Sequence, residues 1–334
     1  MAHPPVRIGM MSFAHMHAGS YAHSIVSRSD TEMVGIADHD PQRAEAMAQQ
    51  YGTRAFASYE ALLSEPGLDA VVICSENVRH RALTEMAASA GKHILCEKPL
   101  ATTIEDGEAM IAACRAAGVQ LMTAFPCRYS PVMRRLKDAL DSGEAGEIVA
   151  IRATNRGRNP GGWFIDKTAS GGGATMDHTV HATDLMRWIT KDEVVKVYAE
   201  ISSGISHQDF DDVGFLSLTF QKGVFATLDA SWSRPKVFPT WGDVTLDVVT
   251  DKGTLSMDMF AQNLVLYSDK ANSVQWYNWG SDMDDGLVGA FAHAVATGEL
   301  VPITGEDGLR AAEVAFAAYR SAEQNAPVML PLPK

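Results

Sequence analysis

The sequence predicts an α/β first half built as a doubly wound parallel sheet, followed by an α+β second half with a large, mostly antiparallel sheet. Three observations carry this. Over residues 6–124, short apolar runs alternate regularly with helical runs, the pattern of parallel βαβ units. After about Pro126 the runs lengthen, and several alternate apolar with polar residues, as half-buried antiparallel strands do. Finally, 334 residues suit two domains, expected at 1–126 and 127–334.

The strands of the first half are VRIGMM (6–11), EMVGIAD (32–38), AVVICS (70–75), HILCEK (93–98) and VQLMTAF (119–125). Helices fall between them, at roughly 18–28, 41–52, 79–91 and 104–118. Gly52, Gly91 and Gly118 stand where helices commonly stop. In the second half EIVAIRATN (147–155), GVFATLDASWS (223–233) and DVTLDVV (243–249) read as strands within a strand-rich stretch from 193 to 267. QKG (221–223) and DKG (251–253) are hairpin signals. Helices are expected at about 178–189, 285–297 and 307–324.

Composition excludes several classes. The formal net charge is −13 and no run of Lys or Arg interrupts it, so nucleic acid is not the expected partner. No apolar run is long enough to span a bilayer, and the first residues lack a signal-peptide pattern. Cys74, Cys96, Cys114 and Cys127 have no C-x-x-C spacing and read as reduced, mostly buried thiols. Together these point to a cytoplasmic protein without membrane association.

GMMSFAHMHAGSY (9–21) joins the first strand to the first helix, where a dinucleotide-binding sheet carries its glycine fingerprint. The fingerprint positions read Ser12, Ala14 and His17. Phosphate is held there by main-chain N–H groups and the helix N-terminus. Ser12, Phe13, Ala14, His15 and Met16 are therefore candidate cofactor contacts. His15 is expected near the cofactor and His17 toward the interior. Asp38 closes the second strand, where an acid accepts hydrogen bonds from an adenosine ribose and repels a 2′-phosphate, which favours NAD over NADP. Its other reading is a helix cap, although Asp40 suits that position better.

CEKPL (96–100) puts Lys98 at the carboxyl end of a parallel strand, facing the crevice where such sheets bind ligands. Pro99 fixes the following turn and is a candidate for a cis bond. In GGGATMDHTVHATDLMRW (171–188), helical phase puts Asp177, His181 and Asp184 on one face, with His178 about 100° away. A carboxylate one turn from an imidazole can orient it as a general base. The same pair can be a buried histidine with its partner. H-x-x-H at 178–181 and the His15, His17, His23 group also suggest metal. The i, i+3 spacing is a poorer clamp than i, i+4, and no Cys pair accompanies either cluster; no metal is expected.

These motifs together resemble the glucose–fructose oxidoreductase / inositol dehydrogenase (Gfo/Idh/MocA) family over nearly the whole chain. The resemblance rests on the loop at 8–19, Asp38, CSENVRH, CEKPL, AFPCRYSP and GGGATMDHTVHATD. It implies a Rossmann-type first domain, with the second serving substrate binding and oligomerisation. The implied activity is NAD(P)-dependent oxidation of a sugar or polyol such as an inositol. Lys98, Asp177 and His181 would be catalytic and converge on one crevice. Ser75, Asn77, His80, Glu97, Lys98 and Arg128 would join the cofactor contacts, with Glu76 replacing the family's proline. Tyr129, Trp163, Asp177, His178, His181 and Lys98 would meet substrate. The resemblance also implies a homodimer or homotetramer. A second-domain sheet with few helices to cover it points the same way, through residues such as Phe225, Leu228 and Trp232. Two rival readings are a dinucleotide-bound sensor without turnover and a metal-dependent lyase or hydrolase using the histidine clusters.

Overall fold

The computed structural model describes residues 3–261, 263–270, 272–278 and 282–333. Contacts divide it into two compact units, one of residues 1–126 with 283–309 and the other of 127–282 with 310–334. Residues 283–309, which the sequence places with the second domain, therefore pack with the first unit. Chain order alone does not reveal that a helix returns.

In the first unit β1 (Val6–Met11), α1 (Ala18–Ser27), β2 (Thr31–Ala37) and α2 (Pro41–Tyr51) follow the expected order. Next come β3 (Ala55–Phe56), α3 (Tyr59–Leu63), β4 (Ala70–Ile73), α4 (His80–Ser89), β5 (His93–Cys96), α5 (Ile104–Ala117) and β6 (Leu121–Thr123). The sheet is parallel in the order β3-β2-β1-β4-β5-β6. Strand order reverses beside β1, and ligands of such sheets bind at the carboxyl ends there. β3 and α3 escape sequence reading because both are too short for a periodic signal.

Local chemistry explains the helix ends. Asp40 accepts from the N–H groups of Gln42 and Arg43, with Pro41 opening α2. Gly52 and Gly118 stop α2 and α5 in the left-handed conformation that side chains resist. The core under one sheet face joins Met11, Val71, Ile73, Ile94, Cys96, Leu100, Met110 and Leu309. All four cysteines are buried free thiols.

The second unit begins with α6 (Pro131–Asp141), which the sequence reading leaves out although Pro131 at its start is a helix signal. β7 (Ile148–Gly157), α7 (Lys167–Ser170), α8 (Ala174–Thr190), β8 (Val194–Ser202), β9 (Val213–Phe220), β10 (Phe225–Asp229), β11 (Gly242–Thr250) and β12 (Thr254–Asp258) follow. β13 (Asn263–Ser268) and β14 (Ser273–Asn278) form a separate hairpin. α9 (Met283–Thr297) belongs to the first unit. α10 (Gly305–Gln324) runs from the first unit into the second, which β15 (Val328–Met329) completes. The large sheet runs β12-β11-β7-β10-β9-β8-β15 and is antiparallel except where β10 meets β7. QKG and DKG make the β9–β10 and β11–β12 turns, closed by Phe220 N–H to Val224 O at 2.8 Å and Thr250 N–H to Gly253 O at 2.8 Å.

One face of this sheet is covered and the other is open. Phe225 is 56% exposed, but Leu228 at 1% and Trp232 at 3% are buried, which corrects their expected place on the open face. Leu228 is odd relative to Phe225 and so points to the opposite side. Trp232 lies beyond β10, where the strand has ended. Phe215, Val249 and Met329 are further exposed apolar residues of the sheet, as is Val149 near the start of β7.

Two substitutions test this description. Ile94→Ala should destabilise the protein by about 2–5 kcal/mol, because the cavity in the close-packed core cannot collapse. Asp40→Ala should cost about 1 kcal/mol, the value of one helix cap. Denaturant titration of both variants ranks them, and an equal effect would contradict the burial described.

Candidate active site

In the first unit the loop 12–17 is fastened across several strand ends. Ser12 takes φ 74°, the left-handed turn position for which glycine is the usual residue. Its N–H donates to Ala37 O at 2.8 Å. Phe13 N–H donates to Asp38 Oδ2 at 2.7 Å, Ala14 N–H to Ser12 Oγ at 3.1 Å and His15 N–H to Cys74 O at 2.9 Å. Three donors expected to face phosphate thus have acceptors within the unit. Among the loop's described residues, the N–H of Met16, which is 59% exposed, has no internal acceptor. α1 starts without a side-chain cap or an acidic residue in its first turn. Its positive end is therefore left for an anion, and with small Ala14 in the loop these residues fit a dinucleotide.

His15 does not overhang an open cleft; it is buried against Glu97, with Nε2 3.8 Å from Oε1. His17 is only partly buried, and its Nδ1 lies 3.1 Å from the same oxygen. The third fingerprint position therefore holds a link to the end of β5 instead of a packing residue. Burial alone would push the Glu97 carboxyl up, but His15, His17 and Lys98 outweigh it and hold the group well below the usual carboxylate range. The ligand atoms of His15, His17 and Glu97 lie within 4.8 Å of one another, close enough to suggest a metal. However, His15 Nδ1 accepts from His17 N–H at 3.2 Å. In the neutral ring this places the proton on Nε2, which faces Glu97 and then offers no lone pair. The hydrogen-bonding sense is that of an ionic cluster.

Asp38 is buried and already fully engaged. Arg43 donates to it from Nε at 2.7 Å and Nη2 at 2.6 Å, and Asp40 N–H donates at 2.9 Å. Burial raises its carboxyl, but Arg43 and the N–H groups of Asp40 and Phe13 outweigh this, so its pKa is lowered. Arg43, on the first turn of α2, is the partner that sequence reading missed. Its only signal was proximity in sequence. Ser75, Asn77 and Lys98 are also buried at strand ends. His80 is wholly buried beneath the turn after Lys98, with Nδ1 3.0 Å from Pro99 O, and burial lowers its pKa. His80 thus supports that turn from beneath. The Lys98–Pro99 bond is cis.

In the second unit α8 carries Asp177, His178 and His181, all buried. The helix starts four residues before the expected position because Asp211 caps it from a distance. Asp211 accepts from Gly173 N–H at 2.9 Å, Thr175 N–H at 2.8 Å and Tyr319 Oη–H at 2.8 Å. Gly172 and Gly173 leave no room for a Cβ against Tyr319 and Asp211. Burial, then the charge of Asp211, push the Tyr319 phenol well above its usual range. Nothing in the local sequence links Asp211 or Tyr319 to the glycine run.

Asp177 Oδ2 lies 3.3 Å from His178 Nε2 and accepts from Trp232 Nε1–H at 3.1 Å. His178, expected to point elsewhere, turns its ring back to this carboxylate and sits among Trp232 and Trp241. Trp163 stacks on Phe164 with centroids 3.9 Å apart. Arg128 does not stand open for a cofactor: it forks onto Asp184 at 2.8 and 2.5 Å in a buried pair. Tyr129 is buried, which pushes its phenol up to about 12. Asp211→Ala should destabilise the protein by about 2–4 kcal/mol, since three buried donors lose their acceptor. Thermal unfolding checks this, and an unchanged midpoint would contradict the capping role.

Comparison with known proteins agrees with this architecture. A family model described as oxidoreductase family, NAD-binding Rossmann fold, matches residues 6–125, and one for the GFO/IDH/MocA C-terminal domain matches residues 133–256. The uncharacterized oxidoreductase YrbE of Bacillus subtilis is 30% identical over 308 residues, covering 88% of each chain. Myo-inositol 2-dehydrogenase of Thermotoga maritima is 28% identical, covering 97% of this chain and 98% of its own. The crystal structure of GenD2 from gentamicin A biosynthesis, in complex with NAD, shares the fold with a TM-score of 0.90 at 23% identity, covering 99% of this chain and 98% of that one. With a Rossmann sheet, a mostly antiparallel second sheet and both family domains matched, the chain belongs to the GFO/IDH/MocA family of oxidoreductases.

Proposed function

We propose that this oxidoreductase transfers a hydride between a secondary alcohol of a sugar or inositol-like polyol and NAD. The observation that carries the reading is Asp177 on the buried start of α8, its carboxylate fixed by an indole N–H beside His178, with His181 one turn further along the same helix. Relatives named as myo-inositol 2-dehydrogenase and 1,5-anhydro-D-fructose reductase support the substrate class.

When bound, the nicotinamide supplies the hydride acceptor. In this reading His181 takes the alcohol proton as general base, and the Asp177 carboxylate stabilises the positive ring that results. Lys98 lowers the pKa of the alcohol and stabilises the negative charge that develops on its oxygen. His178, Tyr129 and Trp163 contribute to substrate recognition. Ser12–Met16, Asp38, Ser75, Asn77, Glu97 and Arg128 belong to the cofactor side, some by direct contact and the buried ones by holding the loops. Asp38 supports NAD over NADP, although Arg43 offsets part of its charge. A relative named as a D-xylose 1-dehydrogenase (NADP(+)) shows that the alternative cofactor occurs among similar proteins. The exposed Phe215, Phe225 and Val249 support a homodimer or homotetramer through the open sheet face.

A panel of sugars and polyols, screened with NAD and NADP for cofactor reduction, tests the reading; turnover with none of them opposes it. kcat/KM should favour NAD, and a clear preference for NADP would remove the role given to Asp38. His181→Ala should lower kcat by roughly 10²–10⁴, and a near-normal value would remove the base. Sedimentation should show an oligomer at micromolar concentration.

A further inference from the structure

The cluster around Glu97 is charged, buried and not used by the chemistry above. Glu97 is fully buried at the end of β5. An ionised carboxylate there is costly unless paired. It is also an unfavourable neighbour for a dinucleotide's phosphates. Its partners come from the phosphate loop itself: His17 Nδ1 at 3.1 Å and His15 Nε2 at 3.8 Å.

The groups facing His17 can be counted from every element packed on it. Glu97 lies at the end of β5, with Lys98 beyond it. The His15 ring is 4.6 Å away within the loop, centroid to centroid, and the Tyr21 ring is 6.0 Å away on α1. Asp284, at the start of α9, accepts a hydrogen bond from Ser20 of α1 and also acts on His17. The Cys74 thiol at the end of β4 and the Tyr21 phenol are both pushed well above their usual ranges, by burial first. Both are therefore neutral near pH 7. The fixed charges are two negative, Glu97 and Asp284, against one positive, Lys98. A proton on His17, or on His15 beside it, brings the local sum to zero, and His17 is the nearer to Glu97, at 3.1 Å against 3.8 Å.

We propose that His17 is a positioning residue for the cofactor: as an imidazolium it latches the phosphate loop to Glu97 and cancels the charge that would repel an incoming dinucleotide. This rests on the reading of the loop as the dinucleotide site. Affinity for NAD is then linked to one proton. His17 loses some basicity through burial and gains more from Glu97, so its pKa is raised above 6.5. The latch is therefore complete below about pH 6.5 and is lost as pH rises through the higher folded value.

NAD binding to the full chain, followed by calorimetry from pH 6 to 9 without substrate, tests this. The wild-type Kd should weaken by about tenfold across the range, as for a one-proton linkage. At the pH where the affinity falls, in buffers of different ionisation enthalpy, binding should take up a proton. His17→Gln and Glu97→Gln should each flatten the profile, and the double variant should add no further change. A wild-type slope retained in His17→Gln overturns the proposal. So does the absence of proton uptake by the wild type, a result that does not depend on any variant folding. A flat wild-type profile with normal NAD binding overturns the latch alone, whereas no NAD binding at any pH overturns the cofactor reading with it.

Discussion

An ionised carboxylate taken out of water must find donors, and four such groups hold the segments that matter in this protein. Asp38 joins the first loop to the start of α2 through Phe13 N–H and Arg43. Glu97 joins the same loop to β5 through His17. Asp211 caps α8, and Asp184 grips Arg128. Each unpaired charge would cost several kcal/mol, so each pairing is strongly specified. Loops and a helix start that carry few apolar contacts gain defined positions this way.

The same constraint explains how the first loop dispenses with its fingerprint glycines. Ser12 enters the left-handed region with φ 74°, a conformation a small polar residue adopts at modest cost. Its N–H to Ala37 O at 2.8 Å offsets part of that cost. Further along, a histidine replaces close helix–strand packing with a directed ionic contact. The loop is therefore built from polar ties across β2, β4 and β5, where a glycine loop would rely on close approach.

In the second unit, burial around α8 gives its polar residues their character. Asp177 is shared between an imidazole and an indole N–H, so its carboxylate is held in one orientation. The helix itself is held by Tyr319 and Asp211, from α10 and the segment before β9. A site on a capped, buried helix is more rigid than one on a loop.

Much of this was legible in the sequence by itself. Apolar periodicity specified the parallel sheet and its helices, the hairpin turns were named by QKG and DKG, and the histidine–aspartate spacing identified α8 as the helix to watch. These are local properties, dictated by backbone geometry and by neighbours three or four residues apart. What only the tertiary structure decided was the pairing of charges. That Arg43 takes Asp38, that His17 takes Glu97, that His178 turns to Asp177 and that Asp211 caps α8 from 36 residues away depends on which strand ends and loops the fold brings together. The return of 283–309 to the first unit is of the same kind. A buried charge is satisfied by whichever donor is near in space, and separation along the chain carries no record of that distance.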